Sequence, residues 1–153
     1  MITSNTIESE RLLKIGEVAT ESGLPIKTIR YYDDIGLLAP TVERSKTGYR
    51  LFSVDVLDRL TFIKRAQSLG LHLNEIQQIL SVHDQGELPC GQVKHYLEDK
   101  VAEITRQIES LQLLRSQLQG ILAGWQEPML TDQDIHTICP NLQPDYLQPN
   151  PPA

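Results

Sequence analysis

Between Leu97 and Leu122 the apolar residues Leu97, Val101, Ile104, Ile108, Leu111, Leu118 and Leu122 recur in alternating steps of four and three. Only Arg115 interrupts the series, with Leu114 beside it. That spacing lays one continuous stripe along a helix and, when sustained, makes the seam of a coiled coil. A helix is therefore predicted from about Gln92 to Leu122. Alone in water such a helix would leave its stripe exposed, so a partner is expected, most simply a second copy of the chain. The competing arrangement, in which the helix folds back on its own N-terminal part, requires a tight reversal.

Upstream, residues Leu13 to Arg50 carry two short helical patterns, a turn and a hairpin. Ile15, Val18 and Ala19 share one helical face, and Ser22-Gly23 stops it. Pro25 opens a second helix, because its missing N–H has no partner in a first turn. Ile26 and Ile29 are expected to face inward there, leaving Lys27, Thr28, Arg30 and Tyr31 outside. This is the arrangement of a helix-turn-helix, whose second helix offers side chains to a DNA groove. Beyond Gly36 and Pro40, Thr47-Gly48 can close a hairpin with Arg44 and Lys46 on one arm and Tyr49 and Arg50 on the other. Such a wing adds phosphate contacts that fix register.

A third helix is predicted from Ser53, its cap, through Val56, Leu57, Leu60, Ile63 and Ala66 to Gly70. Arg59, Lys64 and Arg65 on it are expected to be solvated or to reach a DNA backbone. A fourth starts near Leu73 and buries Ile76, Ile79 and Leu80, with His72 at its entry. Ser81 to Gly91 is read as a break, with Cys90 just ahead of the long helix. The net charge of −6 argues against a nucleic-acid partner only if charge is averaged over the chain. Ten of the fourteen Lys and Arg residues lie in the first 65 positions. Phosphate attraction is local, confined to about 10 Å at moderate salt, so an acidic distal half does not veto a basic face. No stretch is apolar enough to span a membrane and the N-terminus lacks a signal-peptide core, which points to the cytoplasm.

The segments LKIGEVA, TIRYYDDIGLL, GYRLF and FIKRAQSLGLHLNEIQQIL together closely resemble the MerR family of bacterial transcription regulators, over roughly Leu13 to Leu122. The resemblance implies a mainly α fold: a winged helix-turn-helix domain, a long antiparallel coiled-coil dimerisation helix and an effector-binding loop. It places DNA contacts on Thr28, Arg30, Tyr31, Arg44, Tyr49 and Arg50, with Lys27 and Lys46 as helpers. The implied partners are promoter DNA, a second copy of the chain and RNA polymerase at a promoter that the dimer bends and untwists. The expected division is a flexible leader 1–12, a DNA-binding domain 13–83, a hinge and dimerisation helix 84–122, an effector loop 123–141 and a disordered tail 142–153.

Metal-sensing members resemble this chain in having a cysteine just before the long helix and a Cys-Pro late in the following loop, which Cys90 and Cys139-Pro140 match. Many also carry a cysteine at the loop's opening, where this chain reads Gly124-Trp125-Gln126-Glu127. Two soft sulfurs suit linear Cu(I) or Hg(II), whereas tetrahedral zinc needs further ligands. His136 and His95 are the candidate nitrogen donors, with His83 also near the helix start. A helix of about thirty residues is roughly 45 Å long. Within one chain the sulfurs could meet only if the tail ran back almost fully extended. Antiparallel pairing, favoured by the resemblance, instead brings each Cys90 beside the other chain's loop. Trp125 is expected to pack over the helix end. Redox sensing by the thiols, an organic effector, and an effector-free architectural DNA binder are the competing readings. No catalytic constellation or glycine-rich phosphate loop supports an enzyme.

Overall fold

Residues 11–127 and 137–143 of the computed structural model are described. Their order is β1 (Leu12–Lys14), α1 (Ile15–Ser22), α2 (Ile26–Asp34), a 3-10 turn at Ala39–Thr41, β2 (Val42–Arg44), β3 (Arg50–Ser53), α3 (Val56–Ser68), α4 (Leu73–Asp84) and α5 (Cys90–Ala123). The expected leader up to residue 10, His136 and the tail from residue 144 lie outside the described residues. The chain divides into one unit ending at Val101 and another beginning at Ala102.

In the first unit, Leu13, Val18, Ile29, Phe52, Leu60 and Ile63 are almost wholly buried, and Ile76 and Ile79 of α4 join them. Every strand-and-helix element up to α4 except β2 places a residue in this core. At roughly 1.5–3 kcal/mol per buried aliphatic side chain, this cluster is the main force holding the head together. Gly23 ends α1 at φ +72°, and its N–H bonds to Ala19 O at 3.0 Å. That left-handed geometry carries a steric penalty for residues bearing a Cβ.

The wing forms as expected. Gly48, at φ +88°, turns the chain, and its N–H bonds to Ser45 O at 2.9 Å. The strand arms pair antiparallel, Arg44 opposite Arg50 and Val42 opposite Phe52. The sheet has a third, unforeseen member. Leu12, assigned to the leader on sequence grounds, opens β1, which pairs with the other edge of β3 in the order β1-β3-β2.

Several expectations are corrected. Ile26 is 38% exposed, and the second inward residue of α2 is Tyr32, three positions beyond Ile29 and on the same face. Ser53 does not cap α3; it ends β3 opposite Leu12, and Asp55 occupies the cap position. The break after α4 is shorter than Ser81–Gly91, because α4 continues to Asp84, whose carboxylate is held by Arg59, and ends before Gly86 at φ +87°. Cys90 is the first residue of α5 rather than a residue ahead of it, since Pro89 O accepts the Val93 N–H at 3.0 Å.

Leu97 belongs partly to the head: with Val93 and Tyr96 it packs against the core. The rest of the stripe is open. Val101 is 65% exposed and Leu111 65%, and no residue of α5 is buried. Among the described residues no helix is long and apolar enough to cross a membrane.

Candidate nucleic-acid interface and thiol positions

The exposed side of α2 carries Lys27, Arg30 and Tyr31, with Thr28 half-buried among them. Tyr31 is 52% exposed. The helix is fixed from behind. Tyr32 donates its hydroxyl to Gln67 of α3 at 2.8 Å, and burial, opposed by that bond, pushes the Tyr32 phenol above its ordinary value. The turn after α2 is held by Arg59 and Gln77, which donate to Leu37 O at 2.7 Å and Ile35 O at 3.2 Å.

Arg59 is therefore neither solvated nor a backbone reader. Its side chain is 7% exposed and its guanidinium binds both oxygens of Asp84, at 2.6 and 2.9 Å. The Arg59 hydrogen bonds outweigh burial and hold the Asp84 carboxyl below its ordinary value, with His83 adding to the effect. One buried arginine thus joins α3, α4 and the turn behind the recognition helix. A bidentate fork is the geometry that makes such a pair strong.

On the wing, Lys46 and Tyr49 are exposed, Tyr49 by 73%. Arg44 donates to Gly48 O at 3.0 Å and Ser45 Oγ accepts the Tyr49 N–H at 3.0 Å, which stiffens the tip. Arg50 differs from these neighbours. It points back at α2, where Nε meets Asp33 Oδ2 at 2.7 Å and Nη2 meets Asp34 Oδ1 at 2.8 Å. The Asp33 hydrogen bond is the chief reason the Arg50 guanidinium is held above its ordinary value. Of the other helix cations, Lys64 donates to Ser22 O at 2.9 Å, and Arg65 is exposed.

Both cysteines are free thiols. Cys90 is exposed at the start of α5, on the edge of an apolar groove formed with Phe62, Pro89, Val93, Leu97 and Val101. Cys139 is half-buried, its N–H bonded to Gln143 Oε1 at 3.0 Å. The segment that carries Cys139 is tied to the residues just past α5 by Asn141. Its side chain accepts the Gln126 N–H at 3.0 Å and donates to Gln126 O at 2.9 Å. Neither Asn141 nor Gln126 was singled out from sequence, because a reciprocal amide contact fifteen residues apart leaves no periodic trace. Trp125 is 42% exposed.

Among the described residues, no three His, Cys, Asp or Glu side chains gather within the chain to hold a metal ion. His95 lies 3.3 Å from Asp99, and His83 3.4 Å from Asp84. The available soft donors are thus two sulfurs, a set that fits a two-coordinate thiophilic ion once they are brought together.

Two family models match: "MerR HTH family regulatory protein" over residues 13–82 and "MerR, DNA binding" over residues 57–121. The chain is 38% identical over 130 residues to the mercuric resistance operon regulatory protein of Bacillus cereus, covering 85% of this chain and 94% of that one. It is similar to the lead(II)-bound transcription regulator PbrR691 of Ralstonia metallidurans CH34, with TM-score 0.66, 30% identity, and coverage of 76% and 91% of the two chains. The mercury(II)-bound dual function regulator MerR of Bacillus megaterium MB1 matches with TM-score 0.54 and 36% identity, covering 78% of this chain and 92% of that one. With helices, wing and long α5 in the same order, the chain belongs to the MerR family of helix-turn-helix regulatory proteins.

Proposed function

We propose that the chain is a DNA-binding transcription regulator acting as a homodimer, which responds to a thiophilic metal ion through Cys90 and Cys139 and reshapes promoter DNA for RNA polymerase. The observation that carries this reading is the joint presence of two features. One is an exposed basic and aromatic face on α2 and the wing; the other is a pair of free thiols, one opening α5 and one tethered by Asn141 just past its end. Lys27, Thr28, Arg30 and Tyr31 would enter a major groove. Arg44, Lys46 and Tyr49 would contact flanking phosphates, which position the protein without reading sequence.

The exposed stripe on α5 supports pairing with a second copy, and antiparallel pairing would set Cys90 of one protomer beside Cys139 of the other. Mercury(II) or Cu(I) suits two sulfurs; zinc would need nitrogen donors such as His95 or His136. Bringing thiolates from two chains onto one ion stabilises one dimer arrangement over others, which is the requirement for a switch. The cytoplasm, where promoter and polymerase meet, is the corresponding location.

Transcription from a bound promoter, measured with mercury(II), Cu(I), zinc and lead(II) in turn, tests the reading. Replacing Cys90 and Cys139 together by Ser should abolish the response while leaving DNA affinity intact. A response that survives in the doubly substituted protein would overturn it. A response to peroxide in metal-free buffer that requires both cysteines would favour redox sensing instead.

A further inference from the structure

The acidic pair that ends α2 is hard to explain by α2 alone. Asp33 and Asp34 occupy the last two positions of the helix, where the macrodipole disfavours negative charge. They also sit on the element proposed to enter DNA, where carboxylates are repelled by phosphates. What offsets both costs is the wing. Arg50, the first residue of β3, meets Asp33 at 2.7 Å and Asp34 at 2.8 Å. Arg44, directly across the hairpin, lies 3.9 Å from Asp33. The Arg50 side chain is only 18% exposed and Asp33 14%, whereas Arg44 is 55% exposed.

Resting on the reading of α2 and the wing as the DNA interface, we propose that Arg50 is a positioning residue. With Asp33 and Asp34 it forms a clasp that sets the wing's angle to the recognition helix, and it does not itself neutralise a phosphate. β2 and β3 are only three and four residues long, and short hairpins have little stability of their own. An ionic tie on the last strand pair before the turn, Arg44 and Arg50, therefore decides where Arg44, Lys46 and Tyr49 are presented. The guanidinium's planar fork can reach two carboxylates at once, which a lysine ammonium on its flexible stem does not reproduce.

The two roles for Arg50 predict opposite signs. Binding of the full-length protein to mixed-sequence duplex DNA should weaken about fivefold in Asp33→Asn, the scale of a partly exposed ion pair, although a negative charge has been removed. Arg50→Gln and Arg50→Lys should weaken it similarly, and Asp33→Asn combined with Arg50→Gln should be no worse than Arg50→Gln alone. In the absence of DNA, amide hydrogen exchange over residues 45–49 should accelerate in all three single variants. If Arg50 is instead a phosphate ligand, Asp33→Asn will bind more tightly and Arg50→Lys will retain wild-type affinity, and the clasp is refuted. Should the wild-type protein fail to bind duplex DNA, the proposed function falls. The exchange experiment still decides the clasp: acceleration upholds it, and unchanged protection overturns it.

Discussion

The head and the distal part of α5 are both helical and both rich in aliphatic residues, yet they finish their folding differently. In the head, Leu60, Ile63 and Ile76 have no exposed surface, and the ionic side chain that had to be buried, Arg59, is met by Asp84 and a carbonyl. Beyond Val101 the same residue types stay in contact with water: Ile104 at 46%, Ile108 at 49% and Leu118 at 51% exposed. The head closes its core with its own residues, whereas the helix leaves its apolar stripe in water, as half of the proposed dimer interface would be. Stability of the first should be a property of one chain, and that of the second a property of concentration.

The sharpest way to break this contrast is to damage each region and titrate the protein. Leu60→Ala should cost the head about 2–5 kcal/mol, the range for aliphatic truncation in a packed core, with an urea-unfolding loss that does not depend on concentration. Arg59→Ala should cost about 3 kcal/mol, because it strands the Asp84 carboxylate and the Leu37 carbonyl together; the lower end of the buried-pair range applies since Asp84 is 27% exposed. Ile108→Ala on α5 should leave dilute protein within about 0.5 kcal/mol of wild type. It should nevertheless shift the dimerisation midpoint, read by analytical ultracentrifugation, to higher concentration. An equal effect at every dilution would show that α5 is satisfied within its own chain.

Acid sharpens the comparison further. The Asp84 carboxyl is held below its ordinary 3.8, chiefly by Arg59. The stability it contributes is therefore fully present above that ordinary value and is lost as the pH falls through the lowered one. Urea midpoints of the wild-type head should thus drop below about pH 4 more steeply than those of Asp84→Asn, which has already lost the pair. Within the head a smaller loss is expected from Tyr96→Phe, which removes the hydroxyl that bonds Gln78 where α5 leaves the head. A cost of about 1 kcal/mol is expected, read as a lower thermal midpoint.

What was legible in the sequence was whatever periodicity or a turn residue encodes. The stripe Leu60, Ile63, Ala66 on α3, the stop at Gly23 and the Thr47-Gly48 turn all stand where spacing and glycine chemistry put them. The roles of Arg50 and Arg59 were not legible. Their carboxylate partners lie 17 and 25 positions away, so only the packed structure brings them into reach. β1 escaped notice because three residues cannot display an alternation. Leu97 fits the heptad as well as any residue in the series, and only the structure reveals that it packs against the head's core. For the thiols, sequence supplied only the candidate sulfurs, and the Asn141–Gln126 tether that holds Cys139 near the helix end came from the structure.

Mixed dimers decide whether the sulfurs act across two chains. Cys90→Ser and Cys139→Ser proteins, each expected to bind no mercury(II) against a thiol competitor, are combined, unfolded and refolded together. If the site spans two protomers, the mixed dimer regains one intact pair, Cys90 from one chain and Cys139 from the other, and should bind a single ion with wild-type affinity. If mercury(II) binding fails to reappear in the purified mixed dimer, the pairing across chains is contradicted.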